Sequence, residues 1–574
     1  MSSADLIKRI RSGVIGQYHS LHTPYGRKPL VYADYTASGR ALDFIEAQIQ
    51  SHVLPFYANT HSESSFTGAQ TTGLREQARR TIANALKCCA ADKIIFCGSG
   101  ATAAINRLID ILNLRLPADL DKRYALSAHI PHSERPIVFI GPYEHHSNEL
   151  PWRESIADLV AIPLDSDGQI DQHALQDALH VYRDRPMRIG SFSAASNVTG
   201  VLSDVSAITQ LLKSHGALAF WDYAAAGPYV GIDMNRRGAE IDAVFMSPHK
   251  FIGGPGTPGI LAVKSQLLTN TVPAVVGGGT VAFVSPHHHR YLCDAERREE
   301  AGTPAIVESI RAGLVFALQQ RIGTDTIETL ERTKVAAVRE RLGQQTALEM
   351  LGPDTEKKLA IFALRFVQGR RELHYGFVVA LLNDLFGIQA RGGCSCAGPY
   401  GHELLGLDEK RSLALDAQVA AGYASLRPGW VRLNFNYFIG TEEFAYLLSA
   451  VELVAEHGWR MLPAYTLDPK TGMWRHRDHI AERATDPSPE LNPELDLEID
   501  FEPVNLQATA VPDFDALLHD ASEVLQAGAS HSQHQAARAD RALPETVDAL
   551  RWFALPGDVA SPDHPLQQQE VAHA

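Results

Sequence analysis

The chain has 574 residues, 45% hydrophobic and 21% charged, which is the composition of a folded protein of several domains and not of a disordered one. A formal net charge of -15 without any lysine or arginine run argues against nucleic acid as a partner, and no uninterrupted apolar stretch is long enough to cross a membrane. The start lacks a basic-then-apolar secretion pattern, and the six cysteines, at 88, 89, 97, 293, 394 and 396, form neither a disulfide framework nor paired CxxC metal ligands. The expectation is therefore a cytoplasmic enzyme acting on a small molecule, with no metal site.

Residues 1–30 read as an entry helix and a polar turn, and 31–39 as a short strand running into a small-residue loop. A periodic helix spans 41–52, and the loop at 57–65 is rich in hydroxyls and carries His61. Helical spacing returns from Gly73 to Leu86, and a strand at 93–97 leads into Gly98-Ser99-Gly100-Ala101-Thr102. These small residues open a helix, so free amides, the positive end of the helix dipole and the hydroxyls of Ser99 and Thr102 make a cradle suited to phosphate. The spacing matches neither the Walker loop nor the dinucleotide fingerprint.

Strand-like runs at 136–140, 158–162, 187–192, 218–221 and 243–246 alternate with helical ones, which predicts an α/β domain with a largely parallel sheet. In such sheets ligands gather at the carboxyl ends of the strands. His145 follows one strand and is able to stack on a flat ring. Asn197 follows a second, offering an amide. Asp222 follows a third among apolar neighbours and needs a cationic partner. Lys250, after a fourth strand and before a glycine-rich turn, has the setting of a Schiff-base lysine, whose amine must be neutral to attack an aldehyde. Together these describe a pyridoxal-phosphate site.

The same segments resemble the class V aminotransferase branch of the fold-type I pyridoxal-phosphate enzymes, within it the cysteine desulfurases and selenocysteine lyases. The likeness runs from about residue 28 to 460. It rests on EHHSNELPW at 144–152, SNVTG at 196–200, SPHKFIGGPGTPG at 247–259, GGGT at 277–280 and EAGTP at 300–304. It implies a large domain with a seven-stranded, mostly parallel sheet flanked by helices, a smaller α/β C-terminal domain, pyridoxal 5'-phosphate as cofactor, and a homodimer. It further implies cofactor contacts from Gly100, Ala101, Thr102, His145, Asn197, Asp222, Ser247, His249, Lys250 and Thr280. The segment RGGCSC at 391–396 is similar to the family's RxGxxC loop, which makes Cys396 the persulfide-forming nucleophile and puts Arg391 beside the substrate. Arg432 resembles the arginine that grips the substrate carboxylate, with Asn197 and His61 as further substrate contacts.

The implied reaction, with Lys250, Cys396 and His145 as catalytic residues, removes sulfur from L-cysteine to give alanine and an enzyme persulfide that a sulfur-acceptor protein unloads. Two departures stand out: Ala225 replaces a glutamine that usually bonds the cofactor's phenolic oxygen, and Cys394 adds a second thiol. Another class V reaction without persulfide chemistry (transamination, epimerisation or C–S lysis) and an inactive scaffold protein remain alternatives. The expected organisation is 1–30 as an N-terminal segment of the small domain, 31–305 as the large domain, 306–465 as the small domain and 466–574 as a partly disordered extension. The extension carries no motif and has an acidic, proline-rich stretch at 486–498.

Overall fold

The computed structural model describes residues 2–60, 62–369, 371–478, 510–540 and 542–559. His61, the acidic stretch at 486–498 and the final residues 560–574 lie outside the described residues.

Near the N-terminus a two-residue strand, β1 (Val31–Tyr32), is followed by helix α1 (Phe66–Ala85). This helix begins seven residues before the first position of the apolar period, because the Ser65 hydroxyl accepts from the Gly68 N–H and caps it. The large sheet comes next: β2 (Asp92–Cys97), β3 (Ile137–Ile140), β4 (Asp158–Ala161), β5 (Arg188–Ser193), β6 (Leu218–Asp222), β7 (Ala243–Met246) and β8 (Gly259–Lys264), with helix α2 (Gly100–Ile111) between β2 and β3. The order across the sheet is β2-β8-β7-β6-β5-β3-β4, and only β8 runs antiparallel to its neighbours. Fold class and sheet agree with what the strand pattern predicts. β8 is the strand that apolar runs did not isolate, because the glycine turn before it merges into its start.

Ile137, Val138 and Phe139 are all fully buried, the mark of a strand covered on both faces. Beyond the sheet, helices α3 (Ile306–Ile322) and α4 (Thr324–Leu342) meet at Gly323, whose φ of +90° an L side chain avoids. A second sheet contains β9 (Leu348–Met350), β10 (Ile361–Gln368), β11 (Arg371–Leu373), β13 (Arg391–Gly393) and β14 (Trp430–Asn434), while β12 (Ile388–Gln389) pairs in parallel with β1. That last pairing brings the loop after β1 beside the loop after β13. Helices α5 (Tyr375–Phe386) and α6 (Thr441–His457) cover this sheet.

The described part of the C-terminal extension is folded onto the second sheet. Helix α7 (Phe514–Ala527) inserts Phe514 against Tyr446 of α6, with ring centroids 4.6 Å apart. Further on, Trp552 stacks on His374 at 5.2 Å and on Tyr375 at 6.0 Å. The main chain joins too, since Ala554 N–H donates to Glu372 O at 2.9 Å.

Candidate functional site

Loops leaving the carboxyl ends of β2, β3, β5, β6 and β7 converge on one cavity of about 240 Å³, which the loops after β1 and β13 and the strand β14 close from the other side. Its wall includes Gly100, Ala101, Thr102, His145, Asn197, Asp222, Ser247, His249, Lys250, Arg391, Cys396 and Arg432. Residues far apart in the chain meet here because parallel strands all present the same end.

Lys250 closes a single 3-10 turn, Pro248–Lys250, immediately after β7. Burial pushes its amine down to about 8, with Asp222 opposing the shift. Just before that turn, Ser247 Oγ accepts from the Ala101 N–H at 2.9 Å, which ties the start of α2 to the lysine loop. Gly100 has φ +58°, and a Cβ there would sit 2.8 Å from both His249 Cε1 and Ser247 Oγ. Only glycine fits that joint, which leaves the amides of α2 facing the cavity. Thr102 Oγ1 lies 2.6 Å from Ser147 Oγ, and Ser147 Oγ lies 3.0 Å from His145 Nδ1.

His145 Nδ1 accepts from the Ser147 N–H at 3.1 Å, so the ring proton resides on Nε2. Burial, helped by Lys250, pushes its pKa down to about 3 and keeps the imidazole neutral. Asp222 is 4% exposed, and its Oδ1 accepts from the Ala224 N–H at 2.8 Å. Burial raises its pKa, opposed by that amide and by Lys250. Beneath these residues Glu144 accepts from Ser193 N–H (2.9 Å), Ser193 Oγ–H (2.6 Å) and Asn148 Nδ2–H (2.7 Å), and burial pushes its carboxyl up to about 7. It fixes the turn that carries His145.

On the opposite wall Arg432 is 4% exposed. It donates from Nη2 to Asp34 Oδ1 at 2.8 Å and from Nη1 to Asn197 O at 3.1 Å. Arg391 donates from Nε to the other oxygen of Asp34 at 2.9 Å. One buried carboxylate thus braces both arginines. Arg432 Nε and Asn197 Oδ1 are buried without a hydrogen-bond partner. The cysteine loop hangs over this wall: Asn197 Nδ2 donates to Ser395 O at 2.7 Å, Trp430 Nε1 to Ser395 Oγ at 3.2 Å, and His146 N–H to Cys396 O at 2.8 Å.

Thr280 is buried, donates to Gly277 O at 2.7 Å and does not line the cavity. Three residues that the sequence motifs did not single out also matter. Asp34 lies in plain view in the segment after β1, but nothing local connects it to arginines 357 and 398 residues away. Glu144 and His146 flank His145 in the same motif, and only the fold separates their tasks, one under the turn and one against the cysteine loop.

Residues 31–411 match the family Aminotransferase class-V, which is most of the chain. The chain belongs to the class-V aminotransferase family. This is a family of pyridoxal-phosphate-dependent enzymes, and the chain is an enzyme of that kind. Among relatives, a probable cysteine desulfurase of Halalkalibacterium halodurans is 28% identical over 376 residues, covering 65% of this chain and 85% of the relative. One from Staphylococcus aureus is 26% identical over 390 residues, covering 67% and 87%. Solved structures with the same fold include the apo cysteine desulfurase of Thermococcus onnurineus NA1, with TM-score 0.60, 23% identity and coverage of 74% of this chain and 95% of that one. The cysteine desulfurase CsdA of Escherichia coli has TM-score 0.57, 22% identity and coverage of 74% and 94%. Among the described residues no helix is long and apolar enough to cross a membrane.

Proposed function

We propose that this class-V enzyme is a cysteine desulfurase that uses pyridoxal 5'-phosphate. The observation that carries the reading is the presence of Cys396 on the wall of the same cavity as Lys250 and Arg432. An amine, a carboxylate-binding guanidinium and a thiol are the three groups that desulfuration asks of a protein.

The residues present fit the cofactor. Asp222 is a buried carboxylate without an ion pair among the described residues, suited to a protonated pyridine nitrogen. Asn197 Oδ1 is an orphaned buried oxygen at the cavity. Gly100 leaves room for a phosphate at the start of α2, with Ser99, Thr102 and Ser247 hydroxyls around it. When bound, the cofactor supplies an electron sink that makes the substrate's α-proton acidic.

This chain's own groups do the rest. Arg432, on the cavity wall, holds the substrate carboxylate, while Arg391 stands at the mouth. Lys250 Nζ takes the α-proton. Neutral His145 would hold the cofactor ring without adding charge. The Cys396 thiolate attacks the substrate sulfur, the S–Cβ bond breaks, a persulfide stays on Cys396, Cβ takes a proton, and Cα regains the one held on Lys250 to give alanine. The same reading includes a cytoplasmic homodimer, with the more than half-exposed Phe283 and Val284 beside Thr280 as contact surface, and a sulfur-acceptor protein.

Ala225 lines the cavity and offers no amide there, and this favours as second reading a class V reaction without persulfide. One assay separates the two. Holoenzyme given cysteine and a reductant is expected to yield alanine and sulfide in equal amounts, and Cys396→Ala to lose both while keeping the visible absorbance of the cofactor. An undiminished alanine yield from Cys396→Ala refutes the desulfurase reading.

A further inference from the structure

Two thiols occupy the loop after β13, and they face different surroundings. Cys396 lines the cavity, while Cys394 does not. Both are exposed and neither is in a disulfide. The Tyr375 ring lies against Gly392 in β13, just before the loop, where an added Cβ would meet it at 2.7 Å, and its hydroxyl is pushed up to about 12 by burial first and by Cys394 second. Between the thiols the backbone doubles back: Ser395 and Cys396 have φ of +55° and +56°, and Ala397 N–H donates to Cys394 O at 3.3 Å. Three bonds from Asn197, Trp430 and His146 pin the turn at Ser395 and Cys396. The loop therefore sets Cys396 on the cavity wall and Cys394 off it, two residues apart on one turn.

We propose that Cys394 is a second sulfur carrier, taking the sulfane sulfur from Cys396 and presenting it to solvent. The proposal rests on the desulfurase reading. Cys394, as thiolate, attacks the outer sulfur of the Cys396 persulfide. A new S–S bond forms on Cys394, the old one to Cys396 breaks, and Cys396 departs as thiolate with the bonding pair. No oxidant or reductant enters, and the proton lost by Cys394 passes to solvent.

Covalent geometry keeps the two residues close, so a swing of the side chains is all the transfer asks. Residues two apart are separated by at most about 7 Å, close to the roughly 4.4–6.8 Å that one S–S bond spans between α-carbons, and a persulfide extends the donor by a further sulfur. Attack on the inner sulfur instead would close a disulfide between residues two apart, a strained ring, and expel sulfide. Transfer to the outer sulfur keeps the sulfur on the protein and returns a free thiolate to the cavity. Cys396 is then ready for another cysteine before any acceptor arrives.

The test counts alanine in the first burst after holoenzyme is mixed with cysteine, with no other reductant or acceptor and rapid quenching before free cysteine unloads the persulfide, followed by persulfide alkylation and mass spectrometry to locate the extra sulfur. Expected are two alanines per chain from the wild type, with label on both thiols, one from Cys394→Ser with label on Cys396 alone, and none from Cys396→Ser. The visible absorbance of the cofactor checks that each variant is folded. A wild-type burst of one alanine with label confined to Cys396, a second alanine from Cys394→Ser, or an i,i+2 disulfide with released sulfide overturns the relay while leaving the desulfurase reading intact. An undiminished burst from Cys396→Ser overturns both.

Discussion

Replacing Asp34 by asparagine is the sharpest probe of how this cavity is held open. The carboxylate is 8% exposed and splits its two oxygens between Arg432, itself 4% exposed, and Arg391, whose side chain is 51% exposed. Asparagine keeps the shape and one acceptor but removes the charge, so Arg432 is left as a buried cation. Breaking a buried pair on one side costs about 3–5 kcal/mol. Because Arg432 keeps its bond to Asn197 O, the expected loss lies near the lower end, about 3 kcal/mol. The Arg391 partnership, half in solvent, is worth less than about 1 kcal/mol. Double-mutant cycles pairing Asp34→Asn with Arg432→Gln and with Arg391→Gln, read by denaturant unfolding, isolate the two couplings. Couplings of equal size, or one below about 1 kcal/mol for Asp34 with Arg432, refute the picture of a buried brace. Since the brace also aims the guanidinium, Asp34→Asn is expected to raise KM for the amino acid more than it lowers kcat.

Two further outcomes stem from burial. With the Lys250 amine at about 8, uptake of pyridoxal phosphate by cofactor-free protein is expected to speed up about tenfold per pH unit below 8 and to level off above it, tracked by visible absorbance. The same depressed value means that the unfolded chain holds a proton there that the folded chain has lost, so cofactor-free protein gains stability as pH rises from about 8 toward the ordinary lysine value of 10.5; a flat profile in both assays contradicts the assignment. Trp552→Ala removes the indole stacked on His374 and Tyr375 and is expected to cost about 2 kcal/mol. Because the Tyr375 ring lies against Gly392, where a Cβ would meet it at 2.7 Å, the same change is expected to speed alkylation of Cys394 and Cys396, with Trp552→Phe restoring the slower rate. Unchanged alkylation in Trp552→Ala shows that the extension does not steady the cysteine loop.

Local sequence was enough to find most strands of the large sheet and the residues just past their ends. Apolar runs of four or five residues mark β3, β6 and β7, and the polar residues just after such runs, His145, Asp222 and Lys250, carry the site chemistry because a parallel sheet sends every strand's carboxyl end to one edge. In the extension, Trp552 and Phe514 reveal their partners only by touching them.

Pairing across the chain carries no local signal. That Asp34 meets Arg391 and Arg432, that Glu144 lies beneath His145 while His146 holds the Cys396 loop, and that Cys394 stands outside the cavity are all settled by tertiary contacts. Propensity and periodicity act over a few residues, so the sequence alone determined the elements and the chemical groups at their ends. A buried charge selects its partner from whatever the folded chain brings within about 3–4 Å, and only the packing of β1 against β12, and of the second sheet against the first, decided which groups those were.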